Sequence, residues 1–240
     1  MGIRNSLPWN ELYDLVLTGT WQTLYMVLFS GLLTLLIGLP IGVLLFLSRK
    51  PGLYSAPLLN VILGTLVNVG RSLPFVVLLI ALIPLTRLIV GTTLGSTAAV
   101  VPITLGAIPF FARIVENALD EVDGGRIEAV QAMGGGLRHI VFTLLLPEAL
   151  PALIAGMTLT LVMLIGFSSM AGVIGGGGLG DLAIRYGYQR FNNQVMVATI
   201  IILLVMVQLV QSLGDRLVRS LGIVASSAVK KRSAGPPKPC

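Results

Sequence analysis

Cysteine is all but missing from this chain. Its one thiol belongs to Cys240, so no disulfide framework, thiolate metal cluster or Cys–His dyad can be built. Histidine is as scarce, with His139 alone. Charge is thin too: 11% of residues are Asp, Glu, Lys or Arg, 55% are hydrophobic, and the mean hydropathy is +0.94, whereas soluble domains carry about 25% charged residues. A water-soluble globule has no means of hiding that much apolar surface. No G-x-x-x-x-G-K-[ST] run occurs, so the chain holds no phosphate-cradling loop of its own. The apolar blocks also lack Asp, Glu and His near their centres, which removes the ion-coupling side chain a secondary transporter ordinarily carries.

What remains is a series of apolar blocks at about 19–47, 57–86, 96–115, 149–174 and 195–213. Each approaches or exceeds the ~20 residues needed to cross bilayer hydrocarbon. They predict an all-α integral membrane protein with five transmembrane helices in one domain, residues 19–218. Residues 1–18 form a segment on the outer face, about 120–147 a cytoplasmic loop, and 219–240 a basic, disordered tail. The Met1 end lacks a cationic start running directly into an apolar stretch and cleavage site, so it is expected to be retained. Gly38-Leu39-Pro40-Ile41-Gly42 has small-residue spacing, read either as a kink with ordinary packing or as a helix–helix contact between subunits. Pro74 frees a backbone carbonyl near Asn68 and Gly70 and predicts a bend or break in the second block.

Five spans put the termini on opposite sides, and lysine and arginine decide which is inside. One orientation gathers Arg49, Lys50, Arg113, Arg126, Arg138, Arg216, Arg219 and the basic tail in the cytoplasm, leaving Arg4, Arg87, Arg185 and Arg190 outside. The N-terminus is therefore predicted outside and the C-terminus cytoplasmic. This asymmetry accounts for the net charge of +6, and no aromatic–basic interleaving asks for nucleic acid.

The cytoplasmic loop has its own pattern. Asp120, Glu121 and Asp123 put acidic charge where a helix N-terminus is electropositive. Ile127, Val130 and Met133 recur at three-residue spacing, with Glu128 and Gln131 on another face, predicting a short surface helix ended by Gly134-Gly135-Gly136. Leu137, Ile140, Val141 and Leu144 begin a second apolar stripe. Periodicity alone leaves two roles open: lying on the bilayer surface, or docking on a partner protein.

Glu128-Ala129-Val130, then Gly134, then Leu144-Leu145-Leu146-Pro147, resembles the E-A-A, three residues, G, nine residues, I-x-L-P signature of ATP-binding-cassette (ABC) importer permeases, with Val130 for Ala and Leu144 for Ile. Further likeness to methionine-importer permeases lies in Val69-Gly70-Arg71-Ser72-Leu73-Pro74-Phe75, in 84–92, in Ile108-Pro109-Phe110-Phe111-Ala112-Arg113, in 115–119 and in 145–151. It extends over about 18–218. The resemblance implies a type I ABC importer permease fold in the bacterial inner membrane, forming a homodimer with two cytoplasmic ABC ATPase subunits and a periplasmic or lipid-anchored substrate-binding protein. It also implies transport of methionine, the D-enantiomer included as an open alternative, without catalysis, cofactor or metal in this chain. Glu128, Ala129, Val130, Gly134, Leu146 and Pro147 would dock on the ATPase as a coupling helix. A permease for a related amino acid or small solute is the alternative within the class; a non-ABC transporter or a passive scaffold lies outside it.

Two further features concern the solute path. Gly175, Gly177 and Gly180 satisfy G-x-G-x-x-G, but that fingerprint works only between a strand and a helix of a βαβ unit, and here it ends a membrane span. Gly175, Gly176, Gly177 and Gly178 are read instead as irregular backbone lining a cavity, a candidate gate, with plain loop flexibility as the alternative. Arg71 at bilayer depth costs several kcal/mol unless it snorkels, pairs or faces water. Pore lining and structural pairing stay equally open for it, with Glu116 and Glu148 as the pairing candidates. Met163, Ser168, Ser169 and Met170 are the candidate path residues of the fourth span. The single histidine sits in the cytoplasmic loop, so neither serine has a base with which to form a hydrolase dyad.

Overall fold

The computed structural model describes residues 8–49, 53 and 56–233, with side chains described as far as Leu221. Among the described residues every element is helical. α1 spans Trp9–Arg49, α2 Pro57–Ser72, α3 Phe75–Ala81, α4 Ile83–Val90, α5 Ser96–Asp120 and α6 Gly124–Ala132. α7 runs Leu137–Ile174, with a wide turn over Ile140–Leu145 and a tightened last turn at Gly172–Ile174. α8 is Gly178–Leu182, continued by a wide turn through Tyr188, and α9 is Asn193–Ser233.

The second apolar block is not one straight span. Pro74 brings no amide proton, and Leu73 before it is extended, at φ −79° and ψ 129°, as a residue preceding proline prefers. α2 and α3 consequently meet at 105°. Leu82 then separates α3 from α4, whose first turn carries Pro84, so the expected span 57–86 is three helices. Among the described residues four helices are long and apolar enough to cross a membrane, or five if the bent α2–α3 pair counts as one crossing.

Three other boundaries differ from expectation. α1 begins at Trp9 rather than near 19, its first turn closed by the Leu12 amide on the Pro8 carbonyl at 3.0 Å, so most of the predicted outer segment is helix; 1–7 lie outside the described residues. The fourth span begins inside the cytoplasmic loop, at Leu137. α9 continues to Ser233, so the tail predicted as disordered from 219 is helical that far. Proline is absent between 152 and 235, which removes the strongest helix breaker there. Residues 234–240 lie outside the described residues.

α1 and α5 form the main axis. Gly38 and Gly42 are where they touch: a Cβ on Gly42 would lie 2.5 Å from the Ala112 carbonyl oxygen and from Val115 Cβ, and one on Gly38 3.0 Å from Phe111. The G-x-x-x-G spacing thus serves packing within this chain, and α1 runs through Pro40 unbroken. α7 packs against both helices and α9 against α7. Two cores result. One joins Met26, Ile103, Leu164 and Leu179, and the other gathers Phe46, Phe111, Leu119, Ile127, Ile140 and Leu145 at the Arg49 end of α1. Leucines such as Leu88, Leu58 and Leu66 face outward, the distribution expected where hydrocarbon is the solvent.

Candidate functional site

Asp123 caps α6, its Oδ1 accepting from the Gly125 amide at 2.9 Å. Asp120 is instead the last residue of α5 and pairs with Arg49, so of the three acids preceding α6 only Asp123 acts as its cap. At the other end Gly134 takes φ +81°, its amide meets the Gln131 carbonyl at 2.9 Å, and the Gly135 amide reaches back to Val130 at the same distance. Those two bonds are a Schellman closure. It needs two glycines: Gly134 for its left-handed backbone, and Gly135 because a Cβ there would lie 2.5 Å from Val130 Cγ1.

α6 is anchored on one side only. Ile127 is buried in the second core, Val130 packs against it, and Arg126 pairs with Glu148 at the start of α7's long straight section. Met133, expected on the apolar stripe, lies past the helix end and is exposed. Glu128, Ala129 and Gly134 are exposed on the outer face together with Pro147, while Leu146 is half-buried. Nothing lies within 4 Å of a Cβ built on Gly134, so this surface is open to a partner.

Beside this anchor is a polar cluster. Glu116 is 2% exposed and is held by Arg113, 2.5 Å away, and by Arg49 at 3.7 Å; Arg113 also donates to Asn68 Oδ1 at 2.7 Å. The network ties α1, α2 and α5 together. It also answers the pairing expectation for Arg71: Glu116 is taken by Arg113 and Arg49, Glu148 by Arg126, and Arg71 makes no ion pair or hydrogen bond among the described residues.

Arg71 instead lines a pocket of about 330 Å³ at the α2–α3 break, with Gly70, Leu73, Phe75, Leu78, Gly106, Phe110, Met163 and Phe167. Phe75 and Phe167 stack at 3.8 Å. Of the candidate path residues, Arg71 and Met163 are brought together here. Ser168 is buried and Ser169 half-buried, both donating to the Ile165 carbonyl, while Met170 is exposed. Phe110 and Phe167 are pocket residues that the sequence reading does not single out. Phe167 lies four residues after Met163 on one helix face, a spacing that could have revealed it.

The glycine segment is irregular, with φ near +80° at Gly175, Gly177 and Gly178, yet it is held firmly. The Gly178 amide donates to Gln22 Oε1 at 2.8 Å, the Leu179 amide to Thr23 Oγ1 at 2.9 Å, and the Gly95 amide to the Gly175 carbonyl at 2.9 Å. Gly176 alone of the four lines a second, narrow pocket, between α3, α4 and α5. These glycines stand apart from the Arg71 pocket.

Comparison with known proteins gives a consistent set of relatives. The family described as binding-protein-dependent transport system inner membrane component matches residues 38–223. The chain is similar to the probable D-methionine transport system permease protein MetI of Vibrio cholerae, 54% identical over 206 residues that cover 86% of this chain and 92% of that one. It is similar to the methionine import system permease protein MetP of Bacillus subtilis, 45% identical with 82% and 88% covered. A chain of the MetNI methionine ABC transporter in inward-facing conformation superposes with a TM-score of 0.87 at 45% identity, over 90% of this chain and 99% of its own. An amino acid ABC transporter solved with histidines shares the fold at 18% identity and a TM-score of 0.72, over 90% and 100%.

Proposed function

The chain belongs to the family of binding-protein-dependent transport system inner membrane components, and from that premise we infer that it serves ATP-driven methionine uptake. It is a permease subunit of a methionine ABC transporter, with the type I ABC permease fold; the ATPase is a separate subunit, and this chain is not an enzyme. Two copies pair in the bacterial inner membrane, receive methionine from a substrate-binding protein outside, and carry two ATPase subunits inside. Each copy crosses five times, the bent α2–α3 pair with α4 making the second crossing. The N-terminus lies outside and the α9 end inside, as the lysine and arginine asymmetry demands.

The observation that carries the mechanism is the one-sided anchoring of α6. Ile127 and the Arg126–Glu148 pair fasten it to the bundle, while Glu128, Ala129 and Gly134 face away from it. A cleft of the ATPase that takes these small residues and meets the carboxylate moves α6. Because α6 is fixed to α5 and α7, the bundle moves with it. Val130 supports the helix from inside, and Leu146 and Pro147 open the long section of α7. Nucleotide binding to the ATPase pair draws the two α6 helices together, and the permease halves rock between inward and outward access, two states each biased by a ligand at one end. Arg71 and Met163 line the path, Ser168 and Ser169 brace α7 behind it through the Ile165 carbonyl, exposed Met170 follows on the same helix, and the Gly175–Gly178 segment closes the outer end.

Co-purification tests the docking. From detergent extracts of cells expressing the matching ATPase, this chain is expected to retain that subunit, and Glu128→Arg to lose it while eluting as an intact protein. An ATPase held equally by wild type and Glu128→Arg would count against α6 as the contact.

A further inference from the structure

The pocket at the α2–α3 break has a composition that its position in the bundle does not explain by packing alone. Its walls are aromatic and aliphatic, and its one charged group is Arg71. The pocket lies deep along the bundle. A Cβ on Gly70 would meet Pro109 at 2.6 Å, and Pro109 stands about 20 Å from the start of α5 and about 16 Å from its end at ~1.5 Å per residue. Arg71 is exposed on the surface of this chain beside the pocket it lines. The neighbouring acids are committed elsewhere, Glu116 to Arg113 and Arg49, Glu148 to Arg126. An arginine within a bundle is retained where it snorkels, pairs or faces a cavity, and this one lines a cavity that holds no acid.

We propose that this pocket is an amino-acid subsite in which Arg71 receives the solute's carboxylate while Met163, Phe110 and Phe167 receive its apolar side chain. The proposal rests on the methionine permease reading and gives that reading a contact. A guanidinium presents paired N–H donors that match a carboxylate's two oxygens. The opposite wall, where Phe167 stacks on Phe75, offers aromatic surface and a thioether, partners that a thioether side chain favours. Gly70 lines the same pocket, and Pro74 has no N–H with which to close the helical bond to its carbonyl. That carbonyl is an acceptor for the solute's ammonium. The cavity of about 330 Å³ is at the small end of ligand sites, which run from ~300 Å³ upward, as suits a single amino acid.

The test uses the assembled complex, this chain with its ATPase in lipid nanodiscs, illuminated with a diazirine analogue of methionine that keeps both carboxylate and ammonium. Adducts are mapped by mass spectrometry. Wild type is expected to carry them on the 163–167 and Phe110 peptides, suppressed by excess methionine and not by methioninol, which lacks the carboxylate. Arg71→Gln should reduce them at least tenfold, Arg71→Lys should keep a substantial share, and Arg87→Gln should leave them at the wild-type level. Adducts on other segments of this chain, undiminished adducts in Arg71→Gln, or suppression by methioninol equal to that by methionine would overturn the proposal. If Arg71→Gln does not assemble, the methioninol comparison on wild type decides. Uptake of labelled methionine is measured alongside in vesicles bearing the wild-type complex and supplied with the substrate-binding protein: normal uptake without pocket adducts removes the subsite alone, and absent uptake removes the methionine permease reading.

Discussion

Gly172 and Gly180 show how single residues set this fold. A Cβ on Gly172 would lie 2.3 Å from the Asp181 amide nitrogen, and one on Gly180 2.4 Å from Ser169 Cα, so α7 and α8 meet backbone to backbone. Gly166, six residues before Gly172 on α7, has nothing within 4 Å of the position a methyl group would take. Overpacking costs about 1–3 kcal/mol, felt as a few degrees per kcal/mol in a chain of this size. Gly172→Ala is therefore expected to lower the thermal midpoint of the purified complex by several degrees and Gly166→Ala to leave it unchanged, with equal midpoints arguing against the close approach. At this scale the sequence is partly legible. Acidic charge at the start of α6 and a glycine stop at 134–136 follow from residue type and spacing; which acid caps the helix does not. The need for glycine at 135, 172 and 180 does not, because it arises from backbone brought close by packing. Depth along the bundle suggests Glu116 only as a partner for Arg71; Arg113, three residues before it on the same helix, is the stronger signal.

Among elements, α6 carries the account. Nine residues make a marginal helix in isolation, and this one is held by a cap, a Schellman closure, the Arg126–Glu148 pair and one buried side chain. Ile127→Ala removes that side chain from the second core and is expected to cost about 2–5 kcal/mol. Hydrogen exchange should show the α6 amides losing protection while those of α1 and α5 keep theirs; unchanged α6 protection would mean the helix does not depend on this anchor. The apolar blocks make the long helices legible, and Pro74 marks the break. The 105° turn, the separate α4 and the early start of α7 are hidden, since hydropathy reports that a segment is apolar and not the direction in which it runs.

Over the whole molecule, the outward face of α6 and the Arg71 pocket lie on helices fastened to a common axis. Arg113 links α5 to Asn68 of α2, the helix that bears Arg71, and Glu116 links α5 to Arg49 of α1. In the proposed mechanism, movement imposed at α6 is passed to the pocket through packed helices and the polar cluster around buried Glu116. The ATP-dependent entry of labelled methionine into vesicles bearing this chain, its ATPase and the proposed substrate-binding protein tests that coupling most directly. Wild type is expected to accumulate methionine only with ATP, and Glu128→Arg, with its pocket untouched, to fall at least tenfold. Accumulation by Glu128→Arg at the wild-type rate, or by wild type without ATP, would contradict it.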